Sequence, residues 1–182
     1  MSALRTSSWW NRSDRPANLE AVIFSVDALL AGRADERLFA EAVWDLHCAG
    51  IRVAVVTAGH WPKVDRALRD LLGDGAVEVL VTGDEVGRTK PDPEAYQRAL
   101  WQLGVRAVDA IAVEDSVAGL RAARSAGLTT VVVSTESTRN QDFTGAADVL
   151  HDNDGPDRLS PQRCRRLWAG RLASHRSTAL TA

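Results

Sequence analysis

Short β-branched runs alternate with helical stretches that each stop at a glycine, and this alternation leaves the chain few folds to choose from. Strands are predicted over 21–25, 52–56, 78–81, 109–113 and 129–133, with a short edge strand over 148–150. Between the first four lie apolar patterns of helical period over 35–49, 60–72 and 92–103, ended by Gly50, Gly73 and Gly104. A further helix follows the fourth strand and stops at Gly127. Strand–helix–strand units of these lengths close a parallel sheet with helices on both faces, joined by right-handed crossovers. With 182 residues, 45% of them apolar, the chain has material for one substantial core, placed at 19–157. A net charge of −2 argues against general nucleic-acid binding, and no apolar run approaches the ~20 residues of a membrane span. Without a leader-like segment at its start the chain is expected in the cytoplasm. Two cysteines, Cys48 and Cys164, suggest neither a disulfide framework nor a metal site.

The most informative stretch runs from Ala110 to Leu128. An apolar run ends in Glu114-Asp115 and passes directly into a small-residue helix, which Asp115 or Ser116 can cap. Gly119, Ala122, Ala123 and Ala126 keep one helix face thin, so that it can lie close on the sheet. An open α/β sheet presents such strand-end acids at its carboxyl edge, where ligands bind. Read alone, the pair fits equally well as surface acids complementing a helix dipole.

Three further stretches bear on that choice. The first strand ends Phe24-Ser25-Val26-Asp27-Ala28-Leu29-Leu30, and the second ends in Thr57, followed by Ala58-Gly59-His60-Trp61. A threonine hydroxyl with the N–H groups behind it can hold phosphate oxygens where a helix begins. The third stretch is Gly87-Arg88-Thr89-Lys90-Pro91-Asp92-Pro93-Glu94-Ala95-Tyr96, whose prolines keep Lys90 out of the following helix. Of 22 basic residues only Lys63 and Lys90 are lysines, so a lysine here fits a position that needs a compact ammonium.

Together these stretches resemble the haloacid dehalogenase (HAD) superfamily, in its β-phosphoglucomutase-like or CbbY-like phosphatase branch, over about residues 20–135. The resemblance implies an α/β, Rossmannoid three-layer fold with about five parallel strands in the order 5-4-1-2-3. It also implies Mg²⁺-dependent phosphomonoester hydrolysis or phosphoryl transfer. Asp27 takes the place of the general acid/base, while Thr57, Ala58, Gly59 and Lys90 take those of the phosphate-binding groups. Asp115, Glu114 and the backbone carbonyl of Asp27 correspond to metal ligands. Ser25 stands where the family has its nucleophilic aspartate, and Ala28 replaces a glycine. An aspartyl-phosphate intermediate needs a carboxylate, so the substitution removes the nucleophile and one metal charge together. Magnesium binding is therefore expected to be weak.

The family's branch also carries a helical cap between its first two motifs. Here only 30 residues separate Asp27 from Thr57, and the predicted helix fills most of them, so no cap domain is expected. Two readings follow: a hydrolase of weak or lost activity, or a non-catalytic phosphate-binding or protein-interaction module. The ligand is expected to be a small phosphorylated molecule or a phosphorylated macromolecule, with an oligomer or protein partner covering the open site. Residues 1–18, with Trp9-Trp10, suggest a flexible arm. Residues 158–182 are a basic tail, with a helix over 161–173 that Trp168 can dock or that an anionic partner can contact.

Overall fold

The computed structural model describes residues 18–151 and 158–179, so the expected arm with Trp9-Trp10 lies outside the described residues. Six parallel strands form one sheet in the order β3-β2-β1-β4-β5-β6. They are β1 (Ala21–Ser25), β2 (Arg52–Val56), β3 (Val79–Val81), β4 (Ala110–Glu114), β5 (Thr129–Ser134) and β6 (Asp148–His151). The expected five-strand order is kept, but the count is corrected to six. Asp148–His151 pairs with the full length of Val131–Ser134 and extends the sheet.

Strand alternation sends side chains to two cores. Val22 and Phe24 of β1, Val53 and Val55 of β2, and Ile111 and Val113 of β4 point to one face. There they meet helix α2 (Glu36–Cys48), helix α3 (Trp61–Leu72) and helix α6 (Pro161–Ala179). The four-residue helix α1 (Asp27–Leu30) leads from β1 toward α2. On the other face Ala21, Ile23, Ala54, Ala110 and Ala112 meet Ala95 and Ala99 of α4 (Glu94–Leu103) and Ala122 and Ala123 of α5 (Val117–Ser125). So many alanines bring α4 and α5 close to the sheet, and this closeness later controls the site. Strands buried on both faces need no polar alternation, which is why β1, β2 and β4 read as continuous apolar runs.

The boundaries shift where chemistry competes with pattern. Helix α4 begins at Glu94 rather than 92, because Pro91 and Pro93 lack N–H groups and the Asp92 carboxylate accepts from Glu94 N at 3.0 Å. Strand β4 runs one residue further than expected, so Glu114 is a buried strand residue paired with Val132. Helix α6 extends to Ala179, and its docking is mutual. Trp168 is buried and donates to Val108 O at 2.7 Å, while Leu159 and Cys164 join the α2–α3 core. Arg158 pairs with Asp45 at 3.0 Å, Arg163 with Asp148 at 2.6 Å, and Arg171 donates to Gly127 O at 2.9 Å. These arginines hold the helix to its own domain.

Candidate active site

Strand β1 lies between β2 and β4, and the chain leaves it toward opposite edges of the sheet. The carboxyl ends of these three parallel strands therefore open a crevice at the switch point. Ser25 ends β1, Glu114 ends β4, and Thr57 follows β2. Lys90 comes from the turn before α4. All four reach one cluster, along with Asp27, Tyr96 and Asp115.

Lys90 is its centre. The ammonium lies 2.8 Å from Glu114 Oε1 and 2.9 Å from Asp27 Oδ2, and donates to Ser25 Oγ at 2.7 Å. Burial lowers its pKa, but the charges of Glu114 and Asp27 outweigh burial and raise it above the ordinary lysine value. It is therefore a permanent cation at neutral pH. The Tyr96 ring lies under it, 5.8 Å from ammonium to centroid, and the Tyr96 hydroxyl donates to Glu114 Oε1. Burial, and then the Glu114 charge, push that phenol well above its usual range, so it stays a donor. Tyr96 is quoted in the sequence motif without a role; its chemistry becomes visible only when α4 sets it against β4.

Gly119 is the second residue whose role the sequence conceals. A Cβ there would lie 1.9 Å from Glu114 Oε2. The carboxylate occupies the space that any side chain at 119 would need, at the start of α5. It accepts from Asp115 N at 3.1 Å and Ser116 Oγ at 3.4 Å. Of the two expected caps Ser116 is the one used, its Oγ accepting from Gly119 N at 3.1 Å. The thin helix face is thus a seat for a buried acid.

Asp27 sits in the nest expected to hold phosphate. Its Oδ1 accepts from Thr57 Oγ1 at 2.7 Å and Ala58 N at 2.9 Å. Gly59 N donates to Thr57 Oγ1 at 3.0 Å and fixes that hydroxyl. Burial would raise the Asp27 pKa, but the Lys90 charge and the bonds from Thr57 and Ala58 lower it overall. The carboxylate is thus a resident anion on the groups that resemble a phosphate cradle. The loop after β3 supports that cradle from behind. Gly83 N donates to Gly59 O at 3.0 Å, and a Cβ on Gly83 would lie 2.4 Å from Ala58 O. His60 and Trp61 open α3: Asp84 takes His60 Nδ1 at 2.7 Å and Trp61 N at 2.7 Å.

Asp115 differs from its neighbours, since it pairs with no cation among the described residues. Burial, then the Glu114 charge, push its pKa up to about 6. The native state therefore holds a proton that the unfolded chain releases near the ordinary ~3.9. Stability must fall as pH rises through that window and stay reduced above it. Asp115→Asn removes the effect: its unfolding free energy from urea denaturation should match wild type at pH 4 and exceed it at pH 8 by about 2 kcal/mol. A variant no more stable than wild type at pH 8 would refute this.

Magnesium wants several hard oxygens in octahedral array. Among the described residues no three His, Cys, Asp or Glu side chains form a group able to hold a metal ion. Glu114 is engaged by Tyr96, Lys90 and its own helix start, and Asp27 by Thr57, Ala58 and Lys90. Asp115, which lines the same cavity as Ser25, is the least engaged of the three carboxylates expected to hold a metal.

Ser25 has no base to activate it. Its oxygen accepts from an ammonium that keeps its protons, and the carboxylate it donates to, Asp27 Oδ2 at 3.5 Å, is held below the usual carboxylate range. The arrangement can bind and polarise an anion, but it offers no activated nucleophile.

Comparisons with known proteins agree on the ancestry of this geometry. A family described as haloacid dehalogenase-like hydrolase matches residues 13–127. Protein CbbY of Cereibacter sphaeroides is 43% identical over 126 residues, which is 68% of this chain and 52% of that protein. Validoxylamine A 7'-phosphate phosphatase of Streptomyces hygroscopicus subsp. limoneus is 37% identical over 60% of this chain and 51% of its own length. The chain spans about half the length of the curated relatives it matches. Among solved structures, CbbY from Rhodobacter sphaeroides in complex with phosphate superposes with a TM-score of 0.62 at 25% identity, covering 72% of this chain and 93% of that chain.

Proposed function

The chain belongs to the haloacid dehalogenase-like hydrolases, and we propose that it binds phosphate esters through Lys90 and the Thr57–Gly59 loop, with hydrolysis weak or lost at Ser25. The observation that carries this reading is the state of Ser25: the Lys90 ammonium donates to it, and the carboxylate that accepts from it, Asp27 at 3.5 Å, is a weak base held below the usual carboxylate range. Ser25 takes the nucleophile position of the family, and Asp27 its general acid/base position. A carboxylate already in the phosphate nest means that a phosphate must displace it. Asp27 then swings aside, and the Thr57 hydroxyl, the Ala58 N–H and the Lys90 ammonium turn to the incoming oxygens. Magnesium would be held by Asp115 with little help from Glu114 and Asp27, and therefore weakly. When bound, such an ion would supply positive charge against the phosphoryl oxygens.

The connection from Leu30 to Arg52 carries α2 alone, so we also read the crevice as capless. A covering group, if the site has one, comes from a second copy or a protein partner. The relatives named as phosphatases favour an ester over a free anion as ligand.

Inorganic phosphate titrated calorimetrically into wild type and Asp27→Asn tests the proposal. Removing the resident charge lowers like-charge repulsion at a partly buried site, where one unit charge at contact is worth more than 1 kcal/mol. The variant should therefore bind at least about tenfold more tightly, which corresponds to 1.4 kcal/mol. Failure of both proteins to bind phosphate would overturn the reading.

A further inference from the structure

A cavity of about 380 Å³ opens beside Ser25, on the α2 face of the sheet. Its floor is apolar: Phe24, Leu38, Phe39, Ala42, Val113 and Leu159. Phe24 and Phe39 meet edge to face at 5.4 Å between centroids, which fixes the floor's shape. Several polar liners are already engaged elsewhere. The Asp35 carboxylate caps α2 by accepting from Leu38 N, Ser134 Oγ meets Leu150 O and His151, and Glu136 pairs with Arg139. Glu114 is held by Tyr96 and Lys90 and Thr135 Oγ1 meets Thr138, and Ser25, Asp115 and the exposed Arg33 complete the polar lining.

We propose that this cavity takes the apolar body of a phosphate monoester, an aryl or branched-alkyl alcohol, whose phosphoryl group lies on the Lys90 cluster. The inference rests on the phosphate-ester reading above and adds the class of alcohol. Volume supports it, because a cavity of about 150 Å³ already accepts benzene and drug-sized sites begin near 300 Å³. Floor chemistry supports it too. A sugar would bury hydroxyls against six apolar side chains that offer no partner, and unpaired buried hydroxyls are costly. Position completes the case, since Ser25 and Asp115 belong to both the cavity and the cluster.

The test compares inorganic phosphate with phenyl phosphate by calorimetry, on wild type, Ala34→Trp and Leu38→Glu. Residue 34 lies on the exposed part of the lining, so tryptophan there fills the cavity without touching the Lys90 cluster. Glutamate at 38 puts a charge on the floor and serves should the tryptophan turn to solvent. Phenyl phosphate should bind wild type at least about tenfold more tightly than phosphate. That preference should vanish in both variants, with phosphate affinity of Ala34→Trp within about twofold of wild type. Equal affinity of the two ligands for wild type, or a preference surviving both substitutions, overturns the inference and leaves phosphate binding intact. If neither ligand binds wild type, the phosphate-ester reading fails and the inference fails with it.

Discussion

Lys90→Met is expected to destabilise the protein by about 3–5 kcal/mol, the usual cost of breaking a buried ion pair by removing one partner. The Glu114 side chain is 0% exposed and that of Lys90 12%, so no water replaces the lost ammonium. Methionine matches the length of the stem, which separates loss of charge from loss of packing. For a domain of this size the melting temperature should fall by roughly 10 °C. Tyr96 and the start of α5 still donate to Glu114, and they keep the cost from running higher. The double substitution Lys90→Met with Glu114→Gln should recover most of the loss, because the fully buried charge of Glu114 goes with its partner and the half-buried Asp27 keeps its bonds from Thr57 and Ala58. Urea denaturation of the three proteins measures both effects. A single-variant loss under 1 kcal/mol would mean that Lys90 and Glu114 are solvated rather than buried together.

The sheet is legible in the sequence because its signals are local. Runs such as Arg52–Val56 are buried apolar strands whichever partner they find, and Gly50 and Gly104 end helices by backbone conformation alone. Asp148–His151 is a fainter signal, since a four-residue edge strand gains its identity only from β5 beside it. The cluster is partly legible for a similar reason. Ser25, Asp27, Thr57, Lys90, Glu114 and Asp115 can be picked out by their places at strand and helix ends. What those groups do to one another depends on contacts across the fold. That Asp27 fills the nest of Thr57 and Ala58 depends on contacts 30 and 31 residues apart in the chain. The Glu114 carboxylate displaces any side chain at 119 because β4 and α5 pack closely, and alanines elsewhere on that face permit it. Tyr96 looks like an ordinary core aromatic until its hydroxyl is seen on a buried acid. The cavity beside Ser25 has no sequence signature, because residues of β1, α2, β4 and β5 line it together.

Ser25→Asp is expected to give a faster phosphatase than wild type. The carboxylate would stand at the end of β1, next to the Lys90 ammonium that now donates to the serine. A carboxylate needs no base before it attacks phosphorus, whereas a serine hydroxyl must first lose its proton. Attack would form an acyl phosphate and release the alcohol, protonated from the family's acid/base position at Asp27. Water would then hydrolyse the acyl phosphate to regenerate the carboxylate and free phosphate. The new acid also lines the cavity that Asp115 lines, adding an anionic oxygen on that side. Two effects limit the gain. A third carboxylate must share one ammonium with Asp27 and Glu114, and the low pKa of Asp27 makes it a reluctant acid. Recovery of only ~1.4 kcal/mol of transition-state stabilisation still gives a tenfold rate.

Steady-state phosphate release from an aryl phosphate in the presence of Mg²⁺, by wild type, Ser25→Ala and Ser25→Asp, therefore addresses the central claim most directly. Wild type and Ser25→Ala should be barely above the buffer rate, and Ser25→Asp at least about tenfold faster. Robust wild-type turnover that Ser25→Ala abolishes would contradict the claim, because the serine would then be a working nucleophile.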